Sequence, residues 1–182
     1  ATEPESVQVR VDEFNEEGET PLIGAIREGT PSAIRSLLDA GANPNAADRT
    51  SRGWTVLMHA IHQGRDEVVD LLLERGADPS EISTNGKTAL MMAAGYGHTA
   101  IVEALLDAGA NPYTQSTDGT TALSMAVGGL LDIDGMSFGK CQLSTVKALK
   151  TAAPDLKLDE ADRFSRLSAW WSGCDEVIAM VQ

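Results

Sequence analysis

The stretch GKTALMMAAGYGHTAIVEALLDAGANP, residues 86–112, decides the fold. It opens on Gly-x-Thr, runs through an apolar segment to Gly97, resumes with Val102, Leu105 and Leu106, and closes on Gly-Ala-Asn-Pro. Each part recurs. The openings are GETPLIGAI from Gly18, GWTVLMHAI from Gly53, GKTALMMAA from Gly86 and GTTALSMAV from Gly119, at spacings of 35, 33 and 33 residues. The closings LLDAGANP, LLERGADP and LLDAGANP place Gly41, Gly76 and Gly109 at one offset from each opening. A segment that returns at this period is a stack of like units.

The second apolar run of each unit is Ile34, Leu37, Leu38, then Val69, Leu72, Leu73, then Val102, Leu105, Leu106. The i, i+3, i+4 spacing puts three side chains on one helical face. The first run, around Leu22, Ala25 and Ile26 and again Leu57, Ala60 and Ile61, predicts a shorter helix of the same kind. Gly29, Gly64 and Gly97 separate the two, where a tight reversal calls for positive φ. The closing glycine suits a helix C-cap, and the proline three residues on prevents continuation.

Gly18-Glu19-Thr20-Pro21-Leu22, the Gly97-His98 pair and the Gly-Ala-Asn/Asp closings resemble ankyrin repeats, with three units spanning 18 to 117 in good agreement. The resemblance implies an all-α solenoid of helix-turn-helix units joined by finger loops. Four units are expected at 18–52, 53–85, 86–118 and 119–157, after an acidic extension at 1–17. Aligning Val146 with Val102 gives a spacing of 44, so about 11 residues are inserted into the fourth unit, near 128–143. Residues 158–182 read as a degenerate fifth unit acting as a cap, since Gly173 to Ile178 parallels Gly64 to Val69.

The chain holds 27 acidic and 14 basic residues, a formal net charge of -13, and residues 1–19 carry seven acids against Arg10 alone. Such a surface repels phosphate backbones, so nucleic acid is excluded as a partner and a protein with a basic surface is favoured. Maintenance of solubility is the plainer explanation of a charged terminal run. No apolar run reaches membrane-spanning length. The start Ala1-Thr2-Glu3-Pro4 suits the mature end left by a signal peptidase, implying an exported or periplasmic protein. It equally suits an artificial boundary, which leaves the cytoplasm open. Cys141 and Cys174 fall in adjacent units, which allows a disulfide; the alternative is two unrelated thiols.

Catalytic and metal constellations are not expected, and neither is a cofactor. His59 aligns with Gly24, Met92 and Met125, which predicts packing in or near the core. His98 is structural, and His62, on the last helical turn, is expected to be exposed. Asp132-Ile133-Asp134-Gly135 lacks the remaining ligands of a calcium loop. The insertion at 128–143 is the one stretch irregular enough to host an enzymatic site.

What the resemblance implies about binding is a concave face of finger tips and first helices that recognises another protein. Carried onto this chain, it names Ser51, Arg52 and Trp54 with His62, Gln63 and Asp66. It continues through Asn85, Lys87, Tyr96 and Thr99, then Asp118 and Thr120, with Glu19, Arg27 and Glu28 in the first unit and Trp171 in the last. Trp54 and Tyr96 beside Arg52 are residue types that dominate interface energies; the alternatives are Trp54 flat on a neighbouring finger and Trp171 covering the open end of the core. The role expected is a non-catalytic scaffold or, alternatively, an inhibitor or immunity-like protein that masks a basic enzyme or toxin. A monomer is expected.

Overall fold

Thr20, Thr55 and Thr88 each precede an apolar run, and each becomes the N-cap of a helix. Their hydroxyls accept from the amides of Ile23, Met58 and Met91 at 3.4, 3.3 and 3.2 Å, satisfying donors that a helix start leaves open. Thr88→Ala is therefore expected to cost about 1 kcal/mol, measured by chemical denaturation.

The computed structural model describes residues 11–128, 142–158 and 175–181. The helices pair as α1 (Pro21–Glu28) with α2 (Pro31–Asp39), α3 (Val56–His62) with α4 (Asp66–Glu74), α5 (Ala89–Tyr96) with α6 (Thr99–Asp107), and α7 (Ala122–Gly128) with α8 (Leu143–Ala152). A last helix, α9 (Asp175–Val181), packs on α8. First helices stack in the order α1, α3, α5, α7, and second helices α4, α6, α8 stack beside them. The fold is an all-α solenoid of helix-turn-helix units, as the repeat implies.

The core is the seam between the two stacks. Leu22, Ile26, Ile34, Leu57, Ile61, Leu72 and Leu105, all predicted face positions, are at most 1 % exposed, as are Leu90 and Ile101, whereas Leu37, Leu73 and Leu106 of the predicted face are only half-buried. α5 is buried from Ala89 to Gly95 on all its sides, because α3, α6 and α7 surround it. A helix enclosed in this way is apolar all round. Each closing glycine ends its second helix as expected: at Gly109 (φ +91) the chain turns so that the Gly109 and Ala110 amides donate to Leu106 and Leu105 carbonyls at 3.0 and 2.9 Å.

Adjacent units are tied at three heights. Between fingers, the amides of Arg49, Thr84 and Thr117 donate to the carbonyls of Gly18, Arg52 and Asn85 at 2.8, 3.0 and 3.2 Å. At the turns, the residue that starts each second helix lies over the previous turn glycine: Arg65 on Gly29, His98 on Gly64, Gln142 on Gly97. In the closing loops, Asn45 donates from Nδ2 to the Gly76 carbonyl at 3.1 Å and accepts from the Asp78 amide at 2.7 Å.

The finger turns share one construction. The amides of Asn15, Asp48, Ser83 and Ser116 donate to the carbonyls of Glu19, Trp54, Lys87 and Thr120 at 2.8 to 2.9 Å. The turn built on Asn15 lies within the segment read as an acidic extension, and Val11 in that segment packs against the core.

Candidate functional site

Trp54 follows Gly53 at the base of the second finger, immediately before the cap of α3, so its ring is held above the solvent side of that helix. It is half-buried. Its neighbours are the imidazoles of His59, at 5.5 Å between centroids and 65° between planes, and of His62, at 5.2 Å and 63°. These are edge-to-face contacts, which differ from a flat packing on the neighbouring finger. The Arg52 guanidinium stands 5.0 Å from the Trp54 ring centroid, within cation–π range.

The chain of rings crosses into the next unit. His62 and Tyr96 lie 5.7 Å apart between centroids, and the Tyr96 hydroxyl is 2.6 Å from His62 Nδ1. Tyr96 in turn meets His98 at 5.6 Å. His62 is consequently half-buried, where its place on the last turn of a helix suggested exposure; Trp54 on one side and Tyr96 on the other remove it from solvent.

His59 lies near the core, as its place in the repeat suggested, but with a polar partner. It is partly exposed, and its Nε2 is 2.9 Å from Oδ2 of Asp48, a carboxylate whose side chain is 2 % exposed. Burial alone would raise the Asp48 carboxyl. Hydrogen bonds from the Thr50 hydroxyl, from His59 and from the Thr50 amide outweigh it, and the group is held below its usual value. His59 thus anchors the second finger to α3. All three histidines of the chain join this ring network or flank it, which pairwise reading of their positions in the repeat did not reveal.

On the later fingers, Lys87 and Thr120 are half-buried and Asp118 is exposed. Asp118 accepts from the Ser116 hydroxyl and from the Thr120 amide, the latter at 3.1 Å. These bonds, Ser116 first, lower its pKa from 3.8 to about 2. A depressed carboxylate stabilises the folded state when ionised, so its contribution is complete above about pH 4 and is lost as the pH falls through about 2. Carboxyl-detected NMR titration should find that value, and Ser116→Ala should return Asp118 toward 3.8.

The remaining positions lie apart from the rings. Gln63 is exposed at the end of α3. Asp66 opens α4 and lines a groove of about 310 Å³ with Arg35, Arg65 and Leu71. Thr99 opens α6, where its hydroxyl meets those of Ser144 and Thr145 at 2.9 Å each. In the first unit Arg27 bridges Glu17 and Glu19 at 3.2 and 3.0 Å. Trp171, Cys141, Cys174 and nearly all of the 128–143 insertion lie outside the described residues. Among the described residues, no group of three or more His, Cys, Asp or Glu could hold a metal ion, and no helix is long and apolar enough to cross a membrane.

A family model for ankyrin repeats (3 copies) matches residues 4–83 and 78–133. The chain belongs to the ankyrin repeat family. Ankyrin repeats are generally protein-protein interaction modules, and the family is typically non-catalytic. No curated protein matches the chain. Within this ankyrin chain, the second finger with α3 and α5 is where aromatic, imidazole and guanidinium groups converge.

Proposed function

We propose that this ankyrin protein is a non-catalytic binding module that recognises another protein through its finger and first-helix face, with Arg52, Trp54, His62 and Tyr96 at the centre. The observation that carries the reading is the ring contact across two units. Trp54, His62 and Tyr96 brace one another, so little side-chain freedom is left to lose on association. Large rings beside an arginine are the groups on which interface energy concentrates. Lys87, Asp118 and Thr120 extend the face along the later fingers.

Trp54→Ala and Tyr96→Ala should each weaken partner binding by roughly 30-fold, measured by calorimetry on the purified partner. The unfolding midpoint, followed in parallel, should stay within a few degrees of wild type. Wild-type affinity in both variants would remove this face from consideration.

A second reading, an inhibitor that masks a basic enzyme or toxin, is favoured by the net charge of -13. Under it, association should slow steeply as salt screens the long-range attraction. A scaffold bound through the ring cluster should show a shallow salt dependence.

A further inference from the structure

A residue just before a helix N-cap lies over the fourth helical residue, and in many helices two apolar side chains meet there. In this chain those pairs are Glu19 with Gly24, Trp54 with His59, Lys87 with Met92 and Thr120 with Met125. In the second pair the two rings touch. In the first there is no side chain to touch: a Cβ built on Gly24 would meet nothing within 4 Å.

Glu19 nevertheless is only 6 % exposed. Its Oε1 accepts from Arg27 Nη1 at 3.0 Å, while Oε2 is buried and has no hydrogen-bond partner among the described residues. A buried carboxylate oxygen without a donor is costly. Arg27 does not supply a second bond, since its other terminal nitrogen is given to Glu17. Two carboxylates, Glu17 and Glu19, share the one Arg27 guanidinium, leaving this group of three with one negative charge in excess.

We propose that the gap over Gly24 accepts a lysine or arginine side chain of the protein partner, whose cationic N–H donates to Glu19 Oε2. The proposal rests on the reading of the finger and first-helix face as protein-binding, and it names the chemistry that face takes at its first unit. Arg27, about half exposed, lies three residues beyond Gly24 on the same helix and holds only Oε1 of Glu19, at 3.0 Å, so a partner cation bonding Oε2 would share Glu19 with it. The later units fill the same place with His59, Met92 and Met125, which restricts the recognition to one end of the stack.

The test is an NMR titration with N-acetyl-arginine amide, and with the neutral citrulline analogue as control. Saturable shifts of the Glu19 and Gly24 amides are expected with arginine and not with citrulline. Glu19→Gln should weaken the response about tenfold, the worth of one bond to a charged group. Gly24→Met should do the same or more while holding or raising stability, because methionine favours a helix interior over glycine and already stands at this place in two units. No saturable shift, an equal response to citrulline, or an undiminished response in Gly24→Met would each overturn the proposal. The titration needs no partner protein, so a negative result removes the gap alone, whereas unchanged partner affinity in the Trp54 and Tyr96 variants removes the wider face.

Discussion

Leu90→Ala is expected to lower the stability of the chain by about 3 kcal/mol and its unfolding midpoint by roughly 6 to 12 °C. Leu90 is 0 % exposed on a helix enclosed by α3, α6 and α7. Truncation removes its transfer energy and leaves a cavity that neighbouring side chains cannot close from any side. In a stacked array the stability of each unit includes its interfaces, and a cavity in α5 weakens contacts toward both neighbours. Leu22→Ala, at the equivalent place on α1, should cost less, since the described helices flank α1 by α3 on one side only. Denaturant melts of the two variants check the order; equal losses would show that position in the stack does not matter.

Gly86→Ala should cost about 2 kcal/mol, although Gly86 lies in a loop, because it is buried against the next finger. Two effects add at this position. Gly86 has φ +74, and a Cβ there would lie 3.0 Å from the Thr117 amide nitrogen and 3.3 Å from Ser116 Cα. These are backbone atoms of the next finger, which cannot swing aside as a long side chain could. The Thr117 amide donates to the Asn85 carbonyl at 3.2 Å, so relieving the contact opens the rung between the third and fourth fingers. Loss of hydrogen-exchange protection at Thr117, with protection in α5 retained, is the expected signature. Gly86→Asn should be milder, because asparagine tolerates left-handed backbone. If the two variants cost the same, the contact with Thr117 rather than the backbone angle sets the penalty.

The helices, their order and the core face were legible in the sequence, because each rests on short-range chemistry. The spacing of Val102, Leu105 and Leu106 needs only the helical period, and the end of the helix at Gly109 needs only a left-handed cap. Asp66 illustrates the limit of the same reasoning. It was grouped with Trp54 from its place in the repeat, yet it opens α4 and lines a groove among second helices. Position along a unit does not say which neighbour a side chain meets.

The ring network shows this most clearly. His62 was expected to be exposed because its own helix covers nothing there, and the groups that bury it are Trp54 before the helix and Tyr96 in the following unit. His59 lies near the core, as the methionines at equivalent positions imply, but its polar partner Asp48, eleven residues earlier on the finger, is not visible in that comparison. Glu19, counted among the acids of residues 1–19 and carried onto the binding face of the first unit, is buried with one oxygen unmatched among the described residues.

That this chain is a stack of ankyrin units follows from its residues alone, because a repeated period of helix, turn and cap signals acts locally in every copy. Which of its side chains work together was decided only by tertiary structure. Stacking brings residues about one repeat apart to within contact distance, and one-dimensional spacing carries no information on which faces then meet. The convergence of Arg52, Trp54, His62 and Tyr96, and the open place at Gly24, exist because neighbouring units differ at positions where the repeat itself is silent.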